Sequence, residues 1–501
     1  MQQTHSELPS LRATIRLGGK DSNTPTPWFD VKFYPYTPPG ADPVFAVTGG
    51  CNTVICRCVL QKENSIEIIR WFKDDDEDVA LNSIEWSRAA NGDPLVCVTG
   101  VNPLIKVLNV KTGGLVTTLA GHGDSVNDLA TSPADPNIIA SASKDKAIRI
   151  WSLDPDHRKQ PTAAICFGEG HKENVLALGF HRKGQYLLSG GMDTTLNLWM
   201  IPKFQKEDLG TDNPLLIHYP YFSSTELHVD YVDCVKFHND LILSRASKEN
   251  KILLWRIDHF DSNKPPPTSA PMPPHQVKFI DKFDKSNRSN TLEHVAYSHA
   301  TSTRSAWGGR FQRLLQFDEP FSEFFYIRFN LFSELGKHPV LAAGNDRSRV
   351  FFWDLQRLEE ASATGEDSKQ PEKKTKKDTV LSRVREGSTY SNASSGAVSI
   401  SSAPTSTTIS AESTSTKSAV KSKQVKEREK EKEKEKGDRT TGIGDPFRSI
   451  QAHKTVMVPK ISFMVRQVSW SRAGDWCVAC GDYGMICLFS RWETGIPDPE
   501  G

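Results

Sequence analysis

Several things are missing from this chain, and each absence removes a class of function. Lys and Arg number 62 against 61 Asp and Glu, a formal net charge of +1. The basic excess of a protein that grips a nucleic acid backbone is therefore absent. No run approaches the roughly 18 apolar residues of a membrane span, and the opening MQQTHSELPSLRATIRLGG has no apolar signal core. The nine cysteines are an odd number and lie mostly inside apolar, strand-like runs (Cys56, Cys58, Cys97, Cys234, Cys477, Cys480, Cys487). They read as small core residues in a reducing compartment, not as a disulfide framework. Cys477 and Cys480 form a CxxC, yet no second pair or His cluster follows at zinc-ligand spacing, and strand positions i and i+3 face opposite sides. No motif joins a nucleophile, a base and an orienting group. The expectation is an intracellular, soluble, non-catalytic protein without metal or cofactor.

What is present is a repeat. In GHGDSVNDLATSPADPNIIASASKDKAIRIW, Gly121 to Trp151, a Gly-His pair precedes an alternating run, a Pro/Asp turn, a second run, a Lys-Asp turn and a third run ending in Trp. These are the parts of one WD-type blade. His122, Ser141, Asp145 and Trp151 are placed to form a buried hydrogen-bonded chain, and His171, Ser189, Asp193 and Trp199 repeat the set one unit later. A buried His and Asp left unpaired would each cost about 1–3 kcal/mol, so both sets are assigned to structure, not catalysis.

Seven such units can be laid along the chain, which predicts an all-β, seven-bladed WD40 propeller. Residues 1–27 form an N-terminal segment whose lone strand, Leu11 to Leu17, closes the last blade and leaves no open edge. Blades one to six span 28–358, with an irregular insertion at 258–309 containing Pro265, Pro266 and Pro267. Blade six is read with its inner strand at Phe325 to Phe329 and resumes at Phe447 to Ile450. The rest of it and blade seven occupy 446–492, and 493–501 is a tail. Between blades six and seven, 359–445 is dominated by Ser, Thr, Ala, Lys and Glu. It is too poor in large apolar residues to offset its ordering entropy and is expected to be a disordered insertion. Lys373, Lys374, Lys376 and Lys377 within it are a candidate nuclear import signal, and Ser388 to Thr416 are candidate phosphorylation sites.

Counting back four residues from the core residue of each inner strand gives seven equivalent positions at one channel mouth: Phe29, Asn82, Asn127, Leu176, Asp233, Phe325 and Arg466. Two Phe residues are unexpected in a slot that meets water, and Tyr326 adjoins the second. Two readings stand. The rings either pack beneath the insertions or converge above the channel, where their electron-rich faces suit a quaternary ammonium such as a methylated lysine.

The same strings carry a family resemblance. GHGDSVNDLATSPADPNIIASASKDKAIRIW, EGHKENVLALGFHRKGQYLLSGGMDTTLNLW, IHYPYFSSTELHVDYVDCVKFHNDLILSRASKENKILLW, FFYIRFN and VRQVSWSR resemble the EED/extra sex combs family of Polycomb repressive complex 2, from about Trp28 to Trp492 outside the insertions. The resemblance implies a nuclear, non-enzymatic scaffold with two working faces. One binds trimethyl-lysine on the histone H3 tail in an aromatic cage and activates the partner methyltransferase. The other holds a helical segment of an Enhancer of zeste-type SET subunit, in a complex that also contains a Su(z)-type subunit. Matched by motif, Phe29, Phe325 and Tyr326 are cage walls, and Asn127, Lys144, Asp233, Arg328 and Arg466 line the peptide site. Asn82 departs from the pattern, standing where the family has a fourth cage residue, Tyr. Trp71 and Phe72 are nearby rings that could replace it, although both are placed to face core. The alternative is a generic WD40 adaptor of another assembly, such as a ubiquitin ligase.

Overall fold

The computed structural model describes residues 7–18, 26–60, 65–273, 302–363 and 445–491. The predicted insertion at 359–445 begins too early, since its first residues complete a helix, Leu355–Ala363, on the end of the blade-six strand; residues 364–444, with the Lys and Ser/Thr runs, and the tail from 493 lie outside the described residues.

Seven sheets, each built on four strands with antiparallel pairing, form a β-propeller, the architecture read from the sequence. Blade one comprises Asp30–Phe33, Val44–Gly49, Asn52–Cys58 and Ile66–Lys73, and blade two Leu81–Arg88, Pro94–Gly100, Ile105–Asn109 and Leu115–Leu119. The inner strands of blades three to seven are Val126–Thr131, Val175–Phe180, Val232–His238, Asn330–Phe332 and Val465–Trp470. The core lies between blades. Phe352, Trp470 and Phe489 share one apolar cluster across blades six and seven, and Trp28, Phe45 and Leu488 share another across seven and one. Blade seven takes its outer strand from the start of the chain, where Ser10–Arg16 pairs antiparallel with Met485–Ser490. Cys477 and Cys480 pack into different interblade clusters, as their i, i+3 spacing on a strand requires.

Both predicted tetrads form. His122 bonds Asp145 at 2.8 Å and Ser141 at 2.7 Å, and the Trp151 indole donates to the same Ser141 oxygen at 2.7 Å. His171 bonds Asp193 at 3.1 Å and Ser189 at 2.7 Å, with Trp199 donating to Ser189 at 2.9 Å. Burial disfavours the ionised Asp145, but the His122 hydrogen bond and charge and the Gly123 and Ala147 N–H groups outweigh it and hold the carboxyl at about 2. A third tetrad escapes the regular spacing. In blade five His228 bonds Glu249 at 3.0 Å and Ser244 at 2.7 Å, and Trp255 donates to Ser244 at 2.9 Å. Here the acid follows the Ser by five residues instead of four, and the longer Glu replaces Asp.

Three blades carry a fifth strand. Leu215–Ile217 extends blade three in parallel, Thr303–Ser305 extends blade four, and Ser449–Ile450 runs parallel to Phe311–Asp318 in blade five. Two sequence readings change accordingly. The insertion at 258–309 is not wholly irregular, since it ends in the strand that extends blade four. Phe447 to Ile450 does not resume blade six: Ser449 and Ile450 leave for blade five, and Lys454–Met457 is the outer strand of blade six. The Trp353 indole, donating to the Ile450 carbonyl at 3.1 Å, ties the two blades at that crossing.

Candidate functional site

In five blades the inner strand slips register by one residue as it enters the sheet, between Leu81 and Ser83, Val126 and Asp128, Val175 and Ala177, Val232 and Cys234, and Val465 and Gln467. The skipped residues are Asn82, Asn127, Leu176, Asp233 and Arg466, five of the seven ring positions. A bulge leaves its extra residue outside the ladder and re-aims its side chain. The fold therefore frees these positions from strand pairing at the channel mouth.

Blade six builds its part differently. Its inner strand begins only at Asn330, so Phe325 and Tyr326 sit on the turn before it and not on the strand, which corrects the sequence reading. Tyr326 has φ 63°, in the left-handed region. That conformation is uncommon for an aromatic residue and persists where the surroundings over-determine it. Here the Tyr326 N–H donates to Asp233 at 3.1 Å and its hydroxyl donates to the Asn127 carbonyl at 3.2 Å. Burial pushes the hydroxyl pKa up, against the opposing Arg328 charge, so the ring remains a neutral phenol.

Tyr326 touches both of the other rings singled out in the sequence. Phe29 and Tyr326 meet edge to face with centroids 6.3 Å apart, and Phe325 and Tyr326 meet at 4.4 Å. Tyr231, which the sequence reading passed over, extends the group, 6.5 Å from Phe325 and well exposed. The ring faces already attract cations: Arg466 lies 4.7 Å from the centre of Phe29 and Arg328 4.8 Å from that of Tyr326. Asn82 joins the group as a polar wall, its amide donating to the Tyr326 hydroxyl at 3.4 Å. The suggested replacement rings are engaged elsewhere. Trp71 donates to Asn52 and packs on Trp28, and Phe72 packs against the blade-two core.

Not every predicted peptide contact is free to make one. Asp233 is 1% exposed, and both its oxygens accept from Arg245 at 2.7 Å. Arg328, 4% exposed, donates to Asp128 at 2.9 Å and to the carbonyls of Leu176 and Asn127 at 2.9 and 3.3 Å. Both residues act as supports: Asp233 is buried with both oxygens on Arg245, and Arg328 is buried with both terminal nitrogens bonded inside the protein, its Nε alone lacking a partner among the described residues. Asn127 is mostly committed too, its amide donating to the Val175 carbonyl at 2.8 Å. Lys144 is exposed beside Asp124 at 3.2 Å, and Arg466 is half-buried against Asp482 at 2.6 Å. Lys144 remains available at the rim, whereas Arg466 offers only its Nη1, since its Nε and Nη2 both bond Asp482 and its guanidinium lies over Phe29.

Beneath the rings lie paired charges whose partners come from different blades, so no local spacing reveals them. Asp30 accepts from the Ile84 N–H at 3.0 Å and from Gln467 at 3.1 Å, and Lys32 bonds Glu85 at 2.9 Å. Burial works against ionising Asp128, but Arg328, Lys32, Lys236 and the Leu178 N–H together lower its pKa. The network spans blades one, two, three, six and seven, so the mouth has a polar floor.

Comparison with known proteins agrees with this fold. The WD domain, G-beta repeat model matches residues 113–152 and 164–200. The Polycomb protein EED of Chaetomium thermophilum is 44% identical over 370 residues, 71% of this chain and 62% of that relative's length. Polycomb protein esc of Drosophila melanogaster is 27% identical over 327 residues, 62% of this chain and 66% of its own. The chain belongs to the EED/extra sex combs family. Among solved structures, a chain of a humanized Chaetomium thermophilum Polycomb Repressive Complex 2 bound to an inhibitor superposes with a TM-score of 0.75 at 36% identity, covering 98% of this chain and 100% of that one. A chain from the Chaetomium thermophilum complex with H3K27me3 gives the same TM-score at 32% identity, covering 98% and 99%. The chain thus spans somewhat less than two thirds of the Chaetomium family member's full length, and nearly all of the chains in the structures.

Proposed function

We propose that this protein is the non-catalytic propeller subunit of a Polycomb repressive complex 2 in the nucleus, and that it reads a methylated lysine of the histone H3 tail at the mouth lined by Phe29, Phe325 and Tyr326. The observation that carries the reading is the contact of Tyr326 with both Phe29 and Phe325, from blade one and the blade-six turn, with guanidinium groups already over Phe29 and Tyr326. A methylated ammonium is a cation of low hydration, and each desolvated ring face contributes about 0.5–2 kcal/mol to holding it. Lys144 and Arg466 at the rim can hold the peptide carbonyls. The polar floor keeps the peptide on the surface, so the interaction is docking and not threading.

The opposite mouth supplies the second surface. The far ends of the inner strands enclose a groove of about 570 Å³ lined by Phe33, Tyr36, Trp86, Phe332 and Trp470 among others. An aromatic-walled groove receives the apolar face of an amphipathic helix. We assign it to a helical segment of the Enhancer of zeste-type SET methyltransferase, in a complex that includes a Su(z)-type subunit.

Affinity purification of the full-length chain from nuclear extract tests the assembly. Co-purification of a SET methyltransferase and a Su(z)-type subunit is expected, whereas their absence alongside ubiquitin ligase components would overturn it in favour of an adaptor role. For the reader site, a trimethyl-lysine H3 peptide should bind more tightly than the unmodified peptide, with Tyr326→Ala erasing the difference. Equal binding of both peptides to the unaltered protein would refute it.

A further inference from the structure

We infer that Asn82 tunes this site toward lysine that retains an N–H, so that dimethyl-lysine binds more tightly than trimethyl-lysine. The inference rests on the methyl-lysine reading of the mouth. Its starting point is an orphaned atom: Asn82 Oδ1 is shielded from water and has no hydrogen-bond partner among the described residues.

The orientation of the amide follows from the bonds around it. The Tyr326 hydroxyl has one proton and gives it to the Asn127 carbonyl. Toward Asn82 it therefore presents a lone pair, and only the amide nitrogen can face it, as observed at 3.4 Å. Turning the amide over would set two acceptors against each other. Oδ1 thus stands as an unused acceptor one amide width from the Tyr326 hydroxyl, beside the ring that packs on both Phe29 and Phe325.

An acceptor in that position discriminates among methylation states by elementary chemistry. Trimethyl-ammonium has no N–H, so it leaves Oδ1 as unpaired as it is in the free protein and gains nothing from it. Dimethyl- and monomethyl-ammonium keep one and two N–H groups, and either state can donate a charge-assisted hydrogen bond to Oδ1 while its methyl groups rest on the rings. Unmodified lysine gains the hydrogen bond but carries a stronger hydration shell and offers the rings no methyl surface. The order expected is dimethyl first, then mono- and trimethyl, then unmodified.

The test is a titration of the full-length protein with four H3 peptides that differ only in the methylation state of one lysine. The unaltered protein should bind the dimethyl peptide about three- to tenfold more tightly than the trimethyl peptide, the range of one net hydrogen bond. Asn82→Tyr supplies a ring in place of the acceptor and should reverse the order. Asn82→Leu, which removes the acceptor without adding a ring, should abolish the dimethyl preference. Tightest binding of the trimethyl peptide by the unaltered protein would overturn this inference alone. Equal binding of all four peptides, the unmodified one included, would overturn the methyl-lysine reading and this inference with it.

Discussion

Arg245 Nη1 lies 2.7 Å from both carboxylate oxygens of Asp233, with both side chains buried. The same guanidinium donates to Glu319 at 2.8 Å and to the carbonyls of Ser322 and Phe324. Asp233 in turn accepts the Tyr326 N–H at 3.1 Å. One buried cation therefore fastens the whole turn that carries Phe325 and Tyr326. Arg245→Ala should lower folding stability by about 3–5 kcal/mol, because it strands two buried carboxylates. At temperatures where the variant remains folded it should also lose methyl-lysine peptide binding. Arg245→Lys keeps the charge and should recover most of both. Urea denaturation and peptide titration of the two variants check this.

Glu319 shares that cation and is fully buried, and one of its oxygens has no hydrogen-bond partner among the described residues. Burial pushes its pKa up to about 7, against the opposing Arg245 charge. Because the folded pKa exceeds the ordinary value of 4.5, the folded protein holds this proton across the window from about 4.5 to about 7 while the unfolded chain releases it. The contribution of Glu319 to stability is thus full below the window and is lost as pH rises through about 7. Denaturation midpoints across that window should fall more steeply with rising pH for the unaltered protein than for Glu319→Gln.

The blade-five tetrad has the opposite sign. Burial disfavours the Glu249 carboxylate, yet the His228 hydrogen bond and charge, the Val229 N–H and Lys251 outweigh it and hold the pKa at about 2. Its contribution is present above the ordinary value of 4.5 and is lost as pH falls toward about 2. Glu249→Gln should be less stable near neutrality and show a shallower loss of stability on acidification. Ser244→Ala, which leaves the Trp255 indole and a His228 nitrogen without their shared partner, should cost about 1–3 kcal/mol in urea denaturation.

Ring closure yields a fourth expectation. Deleting residues 1–17 uncovers the Met485–Ser490 edge that Ser10–Arg16 now occupies. An exposed strand edge seeks other edges. The truncated protein should melt at a lower temperature and self-associate, as measured by light scattering during a thermal ramp.

What was legible in the sequence was what repeats at short range. The His, Ser, Asp and Trp of blades three and four recur at fixed spacing, and the inner-strand alternation is regular enough to place Asn82, Asn127, Asp233 and Arg466 at one mouth from spacing alone. Blade five hid its tetrad behind one extra residue and a Glu. Blade six misled, because FFYIRF alternates like a strand, although Asp233 and Arg245 from blade five hold Tyr326 in a turn. Asp233 and Arg328 looked like ligand contacts because their partners, Arg245 and Asp128, are set by the closed ring and not by local spacing. The orphaned oxygen of Asn82 is of the same kind, since it depends on where the Tyr326 hydroxyl spends its single proton.

The central claim is that ring faces at this mouth hold a methylated cation. Its most direct measurement compares a trimethyl-lysine H3 peptide with the same peptide bearing an uncharged carbon isostere of trimethyl-lysine, by calorimetric titration of the full-length protein. The charged peptide should bind more tightly than both the isostere and the unmodified peptide, with the preference lost in Phe29→Ala and Tyr326→Ala. Equal affinity for the charged peptide and its neutral isostere would contradict the account.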